Sequence, residues 1–307
     1  MQKRRLGSSD LEISELALGC MSLGTDELHA QRVIHTALEE GINYFDTADL
    51  YDFGDNERIV GMALKSIRED VVIATKVGNR WNEQKDGWGW DPSKAYIKEQ
   101  VKKSLNRLGT EYIDLYQLHG GTTEDPIEET IEAFEELKAE GYIRFYGISS
   151  IRPNVIREYV EKSGIVSVMM QYSLLDRRPE EMVLPLLSEQ GISVVCRGTL
   201  AKGLLTEKKW EYFSASFKKN GYLKYSSLEL QELLSLLKEK VAPERPMTEI
   251  AAQYCLAQPA VSAVVIGASS PEQVKNNARA VQSQRLSKEE IDLIQELTRA
   301  DIYQEHR

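Results

Sequence analysis

Cysteine, histidine, positive charge and glycine-rich nucleotide motifs are all scarce in this chain, and each shortage removes a class of function. The three cysteines, Cys20, Cys196 and Cys255, stand far apart and outside any C-x-x-C or Cys/His cluster. They suggest neither a zinc site nor a disulfide framework, and they fit a reducing compartment. Only one of the four histidines (29, 35, 119 and 306) falls at an expected strand end, so no metal site is expected and a metal-dependent barrel hydrolase would lack its ligand clusters. No G-x-G-x-x-G stands at a strand-to-helix turn, which removes support for a Rossmann site. No run approaches the ~18 apolar residues of a membrane span, and the basic start Met1-Gln-Lys-Arg-Arg5 is not followed by an apolar h-region. A cytoplasmic protein is expected. With 48 acidic residues against 38 basic ones and a net charge of −10, nothing resembles the basic footprint of a nucleic-acid binder. Any bound phosphate would have to rely on local dipoles or a few basic groups.

Apolar residues are plentiful. They make up 42% of 307 residues, with 28% charged, which is enough to bury a large core. Length alone admits two domains or one α/β barrel. Eight short apolar runs, at 16–19, 43–46, 71–76, 112–119, 143–148, 165–170, 192–196 and 263–267, alternate with helical spacings such as Val33, Ile34, Ala37 and Leu38 within 29–40. Helices are expected to start after Asn56, Asp91-Pro92, Asp125-Pro126 and Ser270-Pro271, where a capping side chain or a proline suits the first turn. Glycines at 41, 109, 141 and 191 fall where helices end. Residues 3–15 read as a hairpin, 206–226 as a long rim loop, 227–241 and 247–258 as two helices before the last strand, and 287–298 as a final amphipathic helix. Near-continuous apolar strands separated by helices imply a covered parallel sheet, and eight of them imply closure. The expected fold is therefore α/β: a (β/α)8 TIM barrel with an N-terminal β-hairpin and extra C-terminal helices, spanning 1–307 as a single domain without a Pro-, Gly- or Ser-rich linker.

Four polar residues sit at or just past strand ends: Asp46, Tyr51, Lys76 and His119. Singly, each has an ordinary structural explanation as turn cap, packed phenol, rim charge or core histidine. Together they occupy the boundary at which a barrel's C-terminal rim gathers side chains into one volume. A phenol with a pKa near ~10 is a poor acid at neutral pH unless a cation stabilises its phenolate. Lys76 can supply that cation, Asp46 can hold it charged and aimed, and His119 can orient a substrate oxygen or assist proton transfer. The set suits protonation of an oxygen that becomes negative as a carbonyl receives hydride. It contains no nucleophilic serine or cysteine beside a base.

Gly267-Ala-Ser-Ser-Pro-Glu-Gln273 opens a helix after the last strand and reads either as a phosphate-binding helix N-terminus or as a plain capped turn. Trp81, Trp88 and Trp90 follow Lys76, so that loop either lines an apolar pocket, Trp81 being nearest the four polar residues, or packs on its own barrel. Gly120-Gly121-Thr-Thr, after His119, stands at the same mouth.

The motifs Leu18-Gly-Cys-Met-Ser-Leu-Gly24, Phe45-Asp-Thr-Ala-Asp-Leu-Tyr51, Ala74-Thr-Lys76, Asp114-Leu-Tyr-Gln-Leu-His119, Gly147-Ile-Ser-Ser150, Gly203-Leu-Leu-Thr206 and Ile266-Gly-Ala-Ser-Ser-Pro-Glu-Gln273 resemble, in identity and order, those of the aldo-keto reductases over nearly the whole chain. The resemblance implies NADPH-dependent reduction of a small aldehyde or ketone, with NADH as the alternative donor. It also implies a tetrad of Asp46, Tyr51, Lys76 and His119, with Tyr51 as proton donor and Tyr51, His119 and Trp81 facing substrate. Carried over position by position, Gly19, Met21 and Asp46 would border the cofactor and Ser149, Ser150 and Gln171 would face its carboxamide. The crossing loop 199–205, through Thr199, Leu200, Lys202 and Gly203, would span the pyrophosphate, and Gly267, Ser269, Gln273 and Asn277 would line the adenosine end. Three positions depart from the pattern. Ser150 replaces the carboxamide-binding asparagine, Gln273 replaces the arginine often found on the 2′-phosphate, and Arg197 occupies the place of the aromatic residue that stacks on nicotinamide. Some relatives of the family bind cofactor without turnover, so a cofactor-sensing subunit on the same fold is the alternative expectation.

Overall fold

The computed structural model describes residues 1–82, 84–241 and 243–307. A hairpin of β1 (Lys3–Arg5) and β2 (Glu12–Ser14) precedes the alternating part of the chain. The elements that follow are β3 (Leu16–Gly19), α1 (Glu27–Glu39), β4 (Tyr44–Asp46), α2 (Asp55–Leu64), β5 (Val72–Val77), a small hairpin of β6 (Asn79–Trp81) and β7 (Trp88–Trp90), α3 (Lys94–Leu108), β8 (Ile113–Leu118), α4 (Ile127–Ala139), β9 (Ile143–Ser149), α5 (Pro153–Lys162), β10 (Ser167–Gln171), α6 (Val183–Glu189), β11 (Ser193–Arg197), α7 (Ala215–Asn220), α8 (Ser227–Lys240), α9 (Met247–Leu256), β12 (Val261–Gly267), α10 (Pro271–Gln282) and α11 (Lys288–Leu297). Eight of these strands close into a parallel barrel in the order β3-β4-β5-β8-β9-β10-β11-β12, with β12 returning to pair with β3 through Ile266↔Leu18 and Gly267↔Gly19. The expected (β/α)8 architecture, hairpin and C-terminal helices are present.

The period of two along each strand separates two cores. Ala17, Tyr44, Val72, Ala74, Leu115, Met169, Val195 and Ala263 fill the barrel interior, joined from below by Leu6, Leu11 and Ile13 of the hairpin. Their alternates, such as Leu18, Phe45, Ile73, Tyr116, Ile148, Val194 and Val264, pack outward under the helices. Leu6, Leu11 and Ile13 are at most 2% exposed, and each contributes about 1.5–3 kcal/mol by leaving water. The hairpin is thus a plug. Continuing the inward parity toward the upper strand ends brings Gly19, Asp46, Lys76, His119, Ser149, Gln171, Arg197 and Gly267 to the rim. Fold and site follow from one alternation.

Several local expectations differ from what forms. Asn56 does not cap α2, because Gly54 takes that position with φ +91. Asn56 is instead buried, accepting from Thr47 Oγ1 at 2.7 Å and donating to the Cys20 carbonyl at 2.8 Å. Ser93 caps α3, and Asp91 accepts from the Ser93 N–H and hydroxyl. At α4, Pro126 is the cap, and Asp125 folds back on Thr122. At α10, Ser270 does accept from the Gln273 N–H, with Pro271 opening the helix. Glycines 41, 109, 141 and 191 all have positive φ. The stretch 206–226 is not plain loop: it holds a 3₁₀ turn at Trp210–Tyr212 and α7, capped by Ser214. Six residues are too few to show a helical period, and packing of Trp210, Phe213, Phe217 and Tyr222 orders the segment instead.

Gly7 seats the plug. Its N–H donates to Ser193 Oγ at 2.7 Å, its φ is +55, and a Cβ there would come within 2.2 Å of the Val166 carbonyl oxygen. Left-handed strain of about 1–2 kcal/mol and overpacking of about 1–3 kcal/mol add in Gly7→Ala. We expect that variant to lose about 2–4 kcal/mol in urea unfolding, with the α/β circular dichroism signature retained at low temperature.

Candidate active site

Lys76, next to last in β5, has no exposed surface, which is costly for an ammonium unless it is paired. Its Nζ donates to Asp46 Oδ1 at 2.7 Å, to the Thr47 carbonyl at 2.6 Å and to the Tyr51 hydroxyl at 3.5 Å. Burial pulls the ammonium down, but Asp46 and Tyr51 outweigh it and leave its pKa above the usual lysine range. Burial raises the Asp46 carboxyl, while Lys76 and Gln117 counter that rise. The pair keeps Lys76 cationic beneath the phenol.

Tyr51 reaches this position on a tight turn. The Thr47 N–H donates to Ala74 O and the Asp49 N–H to Lys76 O, so the chain leaving β4 is pinned along β5. Tyr51 N–H then donates to Ala48 O, and Asp52 and Phe53 follow with φ of 48° and 57°. Two successive non-glycine residues in the left-handed region cost of order 1–3 kcal/mol each. Trp81 Nε1 donates to the Leu50 carbonyl at 2.9 Å and so props this turn from outside.

His119 lies just past β8, its N–H donating to Val77 O, with its ring edge-on to Tyr51 at 6.1 Å between centroids. Burial, then the fields of Lys76 and Arg197, hold its imidazole down to about 3. It is a neutral ring at any ordinary pH. Such a ring can donate or accept a hydrogen bond without adding charge beside Lys76.

These groups stand at the floor of a cleft of about 1580 Å³ that opens on the upper rim and runs to the start of α10. Asp46, Tyr51, Lys76 and His119 all line it, as do Gly19, Met21, Ser149, Ser150, Gln171, Arg197, Thr199, Leu200, Lys202, Gly203, Gly267, Gln273 and Asn277. Ser269 is placed differently: it sits at the cleft's edge, with its N–H and hydroxyl donating to Gln273 Oε1 and its carbonyl accepting from His29. Trp81 also departs from expectation. Its ring packs at a 45° tilt against Phe53, 4.4 Å between centroids, and lines a separate cleft of about 290 Å³ with Asp49, Tyr96 and Arg107.

Trp88 and Trp90, whose loop the sequence allowed either to line a pocket or to pack on its own barrel, line the large cleft instead. In the β6–β7 hairpin Trp90 stands opposite Asn79 at the base and Trp81 opposite Trp88 toward the tip, so the two tryptophans meet different neighbours. Trp90 seats against Gly78, where a Cβ would approach its ring to 2.5 Å, and donates to Asp125 at 2.9 Å. The sequence reading also missed Arg279, which faces the cleft from α10 with Asn276. Six positions from Gln273 and two from Asn277, it stands off their i, i+3/i+4 stripe, so residue order carried no signal for it. Among the described residues there is no cluster suited to a metal ion and no helix long and apolar enough to cross a membrane.

The sequence profile of the Aldo/keto reductase family matches residues 15–299. The chain belongs to that family. It is 62% identical over 307 residues to the oxidoreductase YqkF of Bacillus subtilis (strain 168), covering both chains entirely. It is 33% identical to the NADH-specific methylglyoxal reductase of Escherichia coli (strain K12), over 98% of this chain and 99% of that one. Among solved structures, the holo form of aldo-keto reductase AKR11C1 from Bacillus halodurans superposes with a TM-score of 0.93 at 59% identity, covering 100% of this chain and 99% of its own. This chain is therefore an oxidoreductase of the aldo/keto reductase family.

The depressed His119 pKa has a measurable consequence. Below about 6.5 an unfolded histidine takes up a proton that the native ring refuses, so the unfolded state binds more protons and stability falls as pH drops from 6.5 toward about 3. His119→Asn removes that contribution. In urea unfolding between pH 6 and 4, the wild type should lose more stability than the variant, by up to about 1.4 kcal/mol per pH unit.

Proposed function

We propose that this protein reduces the carbonyl of a small aldehyde or ketone with a nicotinamide dinucleotide, and that Tyr51 is the general acid. The observation that carries this reading is the Asp46–Lys76–Tyr51 relay, with 2.7 Å and 3.5 Å between its polar atoms, at the floor of the 1580 Å³ cleft. Lys76 stabilises negative charge on the phenol oxygen as its proton leaves, Asp46 keeps the ammonium charged and aimed, and neutral His119 fixes the carbonyl oxygen near the Tyr51 hydroxyl.

The rim residues fit a dinucleotide. Gly19 and Gly267 keep the wall flat, since a Cβ at Gly267 would stand 2.6 Å from Ser22 Oγ. Thr199 Oγ1 is buried at the crossing loop without a partner among the described residues, as a donor awaiting a ligand oxygen would be. Ser149 and Gln171 would take the carboxamide, with Ser150 beside them. Thr199, Leu200, Lys202 and Gly203 would take the pyrophosphate, and the α10 start with Ser269, Gln273 and Asn277 the adenosine end. The cofactor, when bound, supplies the hydride. Gln273 offers no charge to a 2′-phosphate, but Arg279 and Lys208 face the same cleft, so NADPH is the favoured donor and NADH the second. Trp88 and Trp90 give the mouth an apolar wall suited to apolar or aromatic carbonyl compounds. We place the protein in the cytoplasm on its composition.

Loss of 340 nm absorbance with NADPH or NADH and an activated aromatic aldehyde tests the reading. Tyr51→Phe should lower kcat by about 10²–10⁴-fold. Turnover that persists in the variant would remove Tyr51 from the acid's role. Binding without turnover in the wild type would favour a cofactor-sensing protein.

On this reading Arg197, which lines the cleft at the end of β11, meets the nicotinamide ring; it also donates to Gln171 Oε1 at 3.2 Å. A guanidinium is planar enough to stack, but it repels a cationic ring. Arg197→Tyr should therefore tighten oxidised cofactor relative to reduced. An unchanged ratio of the two affinities would sink this role.

A further inference from the structure

Gln171 ends β10 with its amide at the cleft, and its surroundings leave that amide one orientation. Nε2 donates to Asp176 Oδ2 at 2.8 Å and to the Tyr222 hydroxyl at 3.5 Å, which uses both of its hydrogens. Oε1 accepts from Arg197 Nη1 at 3.2 Å. Asp176 is 1% exposed and is held by a turn in which its backbone exchanges hydrogen bonds with Ser173. Arg178 grips the carboxylate with both prongs of its guanidinium, Nε to Oδ1 at 2.6 Å and Nη2 to Oδ2 at 2.7 Å. The guanidinium in turn lies over the ring of Tyr303, 4.8 Å from its centroid, in the segment that follows α11. A carboxylate accepts but does not donate, so turning the Gln171 amide over would set oxygen against oxygen at Asp176 and nitrogen against guanidinium at Arg197. Both clashes forbid the flip.

We propose that Asp176, braced by Arg178 and Tyr303, is a positioning residue that locks the Gln171 carbonyl toward the cleft, so that the site recognises the N–H of a carboxamide on its ligand. This rests on the nicotinamide reading given above and extends it, because it states which half of the amide is read and which residue decides it. Gln171 alone would not discriminate, since a free primary amide presents a donor as readily as an acceptor. The selectivity comes from a residue that need not touch the cofactor.

Isothermal titration calorimetry with three ligands tests this without turnover: NADPH, its reduced 3-acetylpyridine analogue, in which a methyl ketone replaces the amide, and adenosine 2′,5′-bisphosphate, which has no nicotinamide. The wild type should bind NADPH about 5-fold more tightly than the analogue, the worth of one net hydrogen bond. In Asp176→Asn the new amide can donate to a flipped Gln171, leaving only the exposed Arg197 contact to oppose the flip, so the preference should fall while bisphosphate affinity stays the same. Arg178→Lys keeps the charge and loses the fork, and should reduce the preference in part; it carries the same readout if Asp176→Asn does not fold. An undiminished preference in the folded variants would overturn the proposal. So would bisphosphate affinity falling in step with that of NADPH, which would mark general damage. A wild type that binds NADPH and its analogue equally overturns the proposal alone, whereas one that binds neither overturns the nicotinamide reading as well.

Discussion

An ammonium with no exposed surface is the constraint on which the upper half of this barrel depends. Lys76 is tolerable there only because Asp46 and the Thr47 carbonyl meet it at 2.7 and 2.6 Å. Breaking such a buried pair by removing one partner costs about 3–5 kcal/mol. The rest of the local structure serves that contact. Pairing of β4 with β5 sets Asp46 beside Ala74, one inward position below Lys76, and the Thr47 and Asp49 N–H groups tie the following turn to β5. Asn56, buried between Thr47 and Cys20, holds the turn from behind. The phenol of Tyr51 is delivered to the lysine by the same bonds that make burial of the lysine tolerable.

A second buried charge organises the outer layer. Glu57, with no exposed surface, accepts from Thr75 Oγ1 at 2.6 Å and from Arg107 Nε at 2.6 Å, linking α2, β5 and α3 directly behind Lys76. Glu15 does likewise at the lower rim, where Arg4 and Arg285 converge on it and tie the hairpin to the segment after α10. The Glu57 and Glu15 clusters each fix the relative position of two or three elements.

Much of this was legible from residue order alone. Eight apolar runs with intervening helical spacing specify the barrel because strand and helix periods differ and only closure buries so many two-sided strands. Asp46, Lys76 and His119 could be picked out because each ends such a run. What was not legible depended on tertiary contact. Asn56 looks like a cap and is a buried bridge, since a capping residue and a loop clamp have the same chemistry. Trp81 and Trp90 share a face of the hairpin and differ in destination through their places along it, Trp90 opposite Asn79 at the base and Trp81 opposite Trp88 toward the tip, and so short a strand leaves no pattern. Arg279 could be related to the cleft only once α10 had a known roll about its axis. The segment 206–226 folds by aromatic clustering, which has no sequence period.

The closure between β3 and β12 has a consequence for how the protein is made. The first barrel strand begins at Leu16, and its partner on one side runs from Val261 to Gly267. During synthesis the seven earlier strands therefore emerge as an open parallel sheet with two bare edges, a form prone to pairing with other chains. The hairpin plug can cover the lower end of that sheet early, but it cannot close the seam. The last strand and the helices around it must leave the ribosome before the fold has no edge left to protect, so this chain spends most of its translation in need of shelter.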